Sequence, residues 1–136
     1  DKLARMIASC KGIDPSVRYD LEMRVDGMKP GMRVCHGDFV PSNVIVSEDG
    51  NELYVCDWAH VTAGLPELDA AMTYLLFSLE DPELAEEYLV IYSRRTDTPK
   101  QVVHYWLPVV AAAELSRNRK VNEEKLAGMV NVGDYE

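Results

Sequence analysis

The stretch "VCHGDFVPSNVIVSEDGNELYVCD", Val34 to Asp57, decides how this chain folds, because it changes texture twice within 24 residues. A polar loop carrying a histidine, a glycine, an aspartate and an asparagine runs into "NVIVS", then into the polar "EDGNE", then into "LYVCD". β-Branched and aromatic residues on both sides of Asp49-Gly50 predict a β-hairpin. If its ladder is symmetric about Gly50, Asn43 lies directly opposite Asp57. Cross-strand partners sit about 4.5–5.5 Å apart at Cα and point to the same face, so an amide oxygen and a carboxylate aim at one point. Two hard oxygen donors with room left over suit Mg²⁺, which keeps several waters and is completed by substrate phosphates rather than by a protein cage. Asp38, five residues before Asn43, can reach the same cavity without being a ligand.

Outward from this stretch the texture is helical. On the N-terminal side, "KPGM" (Lys29 to Met32) is a turn that leads into the strand-like "MRVC". Before it, Asp1–Cys10 and Pro15–Val25 have helical spacing, with Asp14 placed as an N-cap and Pro15 as the first helical residue. On the C-terminal side the spacing predicts helices over Glu67–Ser78, over Pro82–Arg94 behind the cap Asp81, over Pro99–Asn118, and from Asn122 to about Val130. Pro108 is expected to kink or split the third of these. There is no internal repeat, low-complexity segment or linker. The expected fold class is α+β and mostly helical, a small β-hairpin embedded in one domain spanning 1–136.

With 136 residues, 47% of them hydrophobic, the chain can bury a real core. The net charge of -9 offers no basic stripe for phosphate backbones, which argues against nucleic acid and anionic membranes as partners and suits a cationic small molecule. No apolar run reaches the roughly 18 residues of a membrane helix. Cys10, Cys35 and Cys56 lack a CxxC or Cys/His metal spacing, and a reducing, cytoplasmic setting is expected. The first residue is Asp1 rather than Met, so an expressed piece, a processed product or a fragment of something longer is expected.

The constellation His36-Gly37-Asp38, Asn43, Asp57 has the spacing of a phosphoryl-transfer loop: an aspartate that orients a hydroxyl, an asparagine five residues on, and a second metal-binding aspartate after the next strand. In a chain of this size and ordinary composition, the chance of that fixed pattern is on the order of 10⁻⁵. At these residues, and over Val34 to Phe77, the sequence resembles the aminoglycoside phosphotransferase and choline kinase-like family, small-molecule kinases of protein-kinase architecture. The resemblance implies a kinase-like C-terminal lobe in which Asp38 is the catalytic aspartate, Asn43 and Asp57 are the Mg²⁺ ligands, and His36 is structural. It also implies that Asp69 steadies the loop through its backbone amides. The implied cofactors are Mg²⁺ and ATP, and the implied acceptor is a hydroxyl of a small molecule, aminoglycoside-like or an amino alcohol.

Two departures from protein kinases point away from a protein substrate. Gly37 stands where many of those enzymes have arginine, and only eleven residues separate Asp57 from Asp69, too few for a peptide platform. A departure from the small-molecule family is Gly64-Leu65-Pro66 in place of its usual Gly-Asp-Pro. The 35 residues before His36 contain neither a Gly-rich loop nor a strand-borne lysine, so the nucleotide-binding residues are unknown, and an N-terminal nucleotide-clamping lobe is expected outside this sequence. Alone, the chain is expected to be inactive or nearly so, and to self-associate through the apolar face such a lobe would cover.

Each residue also has a plainer reading. Asp38 can be a loop cap, Asn43 an Asx-turn and Asp69 a helix N-terminal acid favoured by the macrodipole. His60 and His104 have no partners at metal spacing and are read as structural, and Trp106 with Tyr105, Val102, Val109 and Val110 as a helix core face. Glu83, Glu86 and Glu87 read as a solvated helix face. A two-metal phosphoesterase needs further His and Asp ligands that the sequence does not group. The competing function is a truncated, non-catalytic lobe serving as an interaction module.

Overall fold

Asp14 opens the second helix by local chemistry. In a computed structural model of the chain, which describes residues 2–117 and 122–131, its carboxylate accepts from the Ser16 amide at 2.8 Å and from the Ser16 hydroxyl at 2.6 Å, with Pro15 as the first helical residue. That helix, α2 (Pro15–Asp26), follows α1 (Lys2–Ser9). The strand β1 (Arg33–Cys35) leads through a 3₁₀ turn (Pro41–Asn43) to β2 (Val44–Val46), β3 (Leu53–Val55) and β4 (Thr62–Gly64). Four helices complete the chain: α3 (Pro66–Glu80), α4 (Pro82–Thr96), α5 (Lys100–Leu115) and α6 (Glu123–Met129). Every helix predicted from the sequence is present, and Asp81 caps α4 by accepting from the Leu84 amide at 3.2 Å. The end assigned to the fifth helix, Asn118, lies outside the described residues.

Three expectations need correcting. Thr62–Gly64 is a strand, not the start of helical texture: β4 pairs antiparallel with β1, Arg33 with Gly64 and Cys35 with Thr62. Its short polar sequence carries no alternation, and its partner is 27 or more residues away, so local pattern could not reveal it. Gly31 permits the approach, since a Cβ there would lie 2.0 Å from the Gly64 carbonyl carbon. Second, Pro108 does not split α5, which is assigned as one helix from Lys100 to Leu115. Pro108 is fully buried among Leu107, Val109 and Val110, and tertiary packing offsets the missing hydrogen bond. Third, Tyr105 is not part of the core face; it is exposed, with the Arg24 guanidinium 3.9 Å above its ring.

The core is helical. Leu75 of α3, Leu89 of α4, and Val103 and Val109 of α5 are fully buried together with Ile7 of α1 and Leu21 of α2. The strands form two separate two-stranded antiparallel sheets, β1 with β4 and β2 with β3. No helix is long and apolar enough to cross a membrane among the described residues.

Candidate active site

The hairpin is shifted by one residue from the register expected of symmetry about Gly50. Val44 faces Val55, Ile45 faces Tyr54 and Val46 faces Leu53. The cause is the loop. Ser47 and Glu52 close it, the Ser47 amide donating to the Glu52 carbonyl at 2.9 Å, so the centre falls between Asp49 and Gly50. Asp49 shapes the turn by accepting from the Ser47 hydroxyl and the Asn51 amide, bonds that hold its carboxyl below the usual carboxylate range. Asn43 therefore faces Cys56, whose amide donates to the Asn43 carbonyl at 2.7 Å. Asp57 is one residue further along. In a regular ladder a one-residue slip would turn its side chain to the other face. Asp57 instead leaves the strand in the left-handed region, at φ 58°, as the chain turns off the ladder.

His36 is buried at the centre of the loop. Its Nε2 lies 2.7 Å from the Cys56 carbonyl, which can only accept, so this nitrogen carries the proton. Its Nδ1 accepts from the Asp38 amide at 3.1 Å. The ring packs against Trp58, with centroids 4.6 Å apart, and edge-on to Phe39 at 6.1 Å. Asp69, one turn into α3, receives the loop from the other side: its Oδ2 accepts from the His36 amide and its Oδ1 from the Gly37 amide, both at 2.8 Å. Gly37 is required there twice over, by φ 85° and because a Cβ would lie 2.9 Å from that of His60.

Asn43 sits at the end of the 3₁₀ turn and donates through Nδ2 to the Asp38 carbonyl at 2.8 Å and to Asp38 Oδ2 at 3.2 Å. The structure thus brings His36, Asp38, Asn43 and Asp69 into one hydrogen-bonded network and joins Asp57 to it through the backbone of Cys56. With Nδ2 turned to Asp38, the Asn43 Oδ1 is left for another partner. Asp57 is exposed, and no hydrogen bond or ion pair engages its carboxylate among the described residues. Two hard oxygens of this kind fit Mg²⁺, which takes few protein ligands. No group of three or more His, Cys, Asp or Glu side chains gathers into a metal cage among the described residues.

Beside Asp38 opens a cavity of about 350 Å³, lined by Pro41, Phe77, Glu80, Glu114 and Leu126 among others. Glu114 is buried and pairs with Arg117 at 3.3 Å. Sequence reading missed Glu80, Glu114 and the two backbone groups of Cys56. A glutamate inside the apolar run "VVAAAEL" was a visible signal for Glu114, whereas a backbone role leaves no mark on residue type. Leu65, at the Gly-Leu-Pro departure, gives α3 no side-chain cap; it packs instead against the core.

The model of the phosphotransferase enzyme family, APH, matches residues 20–102, more than half of the chain and all of this network. The chain belongs to the phosphotransferase enzyme family. No curated protein and no solved structure matches it. Within this phosphotransferase the matched segment runs from α2 into the start of α5, and α1, α6 and most of α5 lie outside it.

Proposed function

We propose that this phosphotransferase chain is the C-terminal, kinase-like lobe of an enzyme that moves the γ-phosphoryl group of ATP to a hydroxyl of a small molecule. The observation that carries the reading is Asp38, whose carboxylate is bonded by Asn43 and which lines the 350 Å³ cavity. Asp38 orients the acceptor hydroxyl and takes its proton, and Asn43 holds that carboxylate in place while its own Oδ1 joins Asp57 in binding Mg²⁺. When bound, the metal supplies neutralising charge at the phosphate oxygens. Asp69 and His36 keep the loop in the geometry in which positioning does the catalytic work.

Glu80 lines the same cavity, and its negative charge favours an acceptor with a positive charge, an aminoglycoside-like compound or an amino alcohol. Two helices, α1 and α2, precede β1 here, in place of a strand-borne lysine and a phosphate-covering loop, and the nucleotide-clamping lobe is assigned to a further segment of the protein. Loss of that lobe leaves the isolated chain inactive or nearly so.

The test is Mg²⁺-dependent ATP consumption by the full open reading frame, against a panel of amino alcohols and aminoglycosides. Asp38→Ala is expected to lower turnover by at least about 10²-fold. Turnover unaffected by that substitution sinks the assignment. The uncovered apolar hairpin described below favours a second reading, an interaction module without catalysis. Thermal stabilisation by Mg²⁺ and nucleotide separates the two, because equal shifts in wild type and Asp57→Asn favour the module.

A further inference from the structure

The β2–β3 hairpin carries the proposed metal-binding pair at its base, Asn43 just before β2 and Asp57 just beyond β3, yet its own side chains do not select one register. Successive residues of a strand point to opposite faces, and here both faces are uncovered. Ile45 and Val46, which are neighbours in β2, are each 56% exposed, and Leu53 and Tyr54, neighbours in β3, are exposed as well. Register is strongly specified where one face is buried and the other is not. Burial gives no such preference in this hairpin, so the choice falls to bonds at the two ends of the ladder.

At the base, Cys56 engages both backbone groups: its amide donates to the Asn43 carbonyl and its carbonyl accepts from His36 Nε2, each at 2.7 Å. At the tip, the Ser47 hydroxyl donates to Asp49 at 2.6 Å and accepts from the Glu52 amide at 3.0 Å, while Asp49 also accepts from the Asn51 amide at 3.0 Å. Gly50, at φ 74°, supplies the left-handed residue of this turn. The register symmetric about Gly50 would set Asp57 opposite Asn43 inside the ladder, and a strand residue cannot keep the φ of 58° that Asp57 adopts.

We propose that Asp49, together with Ser47, is a positioning residue for the metal-binding pair: the turn selects the register in which Asp57 leaves the ladder beside Asn43. The proposal rests on the phosphoryl-transfer reading of that pair. Ser47 lies three residues beyond Val44, about 10 Å along the strand at about 3.3 Å per residue, so the turn acts through the ladder and not by touching the metal. Loss of the turn bonds admits the slipped register, and apparent metal affinity falls with the fraction of chains that remain in the competent one.

The experiment titrates the full chain with Mn²⁺, a paramagnetic stand-in for Mg²⁺, followed by amide proton–nitrogen NMR. Register is read separately, without metal, from cross-strand Hα–Hα contacts between Val44 and Val55 and between Val46 and Leu53, which pair in the ladder. Wild type is expected to show saturable broadening at the Asn43 and Asp57 amides. Asp49→Ala, a change at the exposed tip, is expected to weaken that binding about fivefold and to diminish both contacts. Asp49→Asn removes the same charge but keeps an acceptor oxygen, and is expected to behave as wild type. Unchanged affinity in Asp49→Ala, weaker binding with both contacts intact, or an Asp49→Asn chain no better than Asp49→Ala overturns the positioning role and leaves the phosphotransferase reading standing. Wild type without saturable broadening at Asn43 and Asp57 overturns the metal assignment itself, and the positioning role with it.

Discussion

The C-terminal half of α5 and the β2–β3 hairpin are both strongly apolar in sequence, yet the structure treats them in opposite ways. From Trp106 to Leu115 every residue of α5 is buried, with α1, α3 and α6 around it. In the hairpin, Ile45 and Val46 are each 56% exposed and Leu53 is 67% exposed. Sequence hydrophobicity thus measures a demand for burial, and topology decides whether it is met. The hairpin is held by its backbone ladder and by the Ser47–Asp49 turn, whereas the helix is held by side-chain packing. Val34 in β1 and Met32, Trp58 and Val61 beside the strands are exposed as well, while Tyr19, Met23, Leu84, Ile91 and Tyr105 are exposed on helices. Apolar residues exposed on and beside the hairpin would suit the covering lobe proposed above.

The largest effect that sharpens this comparison comes from paired truncations. Leu75→Ala in the helical core is expected to cost about 2–5 kcal/mol, because it leaves a cavity. Leu53→Ala in the hairpin is expected to stay within about 0.5 kcal/mol, as a surface change does. Urea unfolding of both variants checks this, and comparable losses would mean that the hairpin is covered in solution.

Asp69→Ala tests the seam between the two regions. Removing the carboxylate leaves the His36 and Gly37 amides without their partner, at a cost of about 3 kcal/mol. Hydrogen exchange should show that loss concentrated in faster exchange at those two amides, and unchanged protection there would sever α3 from the loop.

Two pH effects are smaller. Tyr88, in α4, has a folded pKa of about 12 against an ordinary 10, because burial penalises the phenolate. A raised pKa contributes stability fully below about 10 and loses it as pH rises toward 12. Tyr88→Phe is expected to flatten the decline in Tm over that interval. Asp14 is held low by its Ser16 bonds, so its contribution is present above the ordinary value of 3.8 and is lost as pH falls through the depressed one. In Asp14→Ser, which caps without titrating, the acid decline in Tm should be shallower than in wild type.

The residue types of the loop were legible because phosphoryl-transfer chemistry demands particular groups at particular intervals. Helices announced themselves through caps and periodicity, as at Asp14-Pro15 and Asp81-Pro82. Register was not legible, since turn closure by Ser47 and Glu52 depends on side-chain bonds that alternation does not encode. The pairing of β4 with β1, the continuity of α5 through Pro108 and the burial of Glu114 were hidden for a related reason: each is decided by residues distant in the chain.

The amide bonds from His36 and Gly37 to Asp69 span 33 and 32 positions of sequence, and this sets an order of assembly. Closing so long a loop costs chain entropy before any contact rewards it, so the hairpin can form early while the loop ahead of it waits for α3. During synthesis, a nascent chain that has emerged only as far as Asp57 already holds every proposed catalytic and metal-binding residue. It acquires their arrangement only when the ribosome has released the helix that follows.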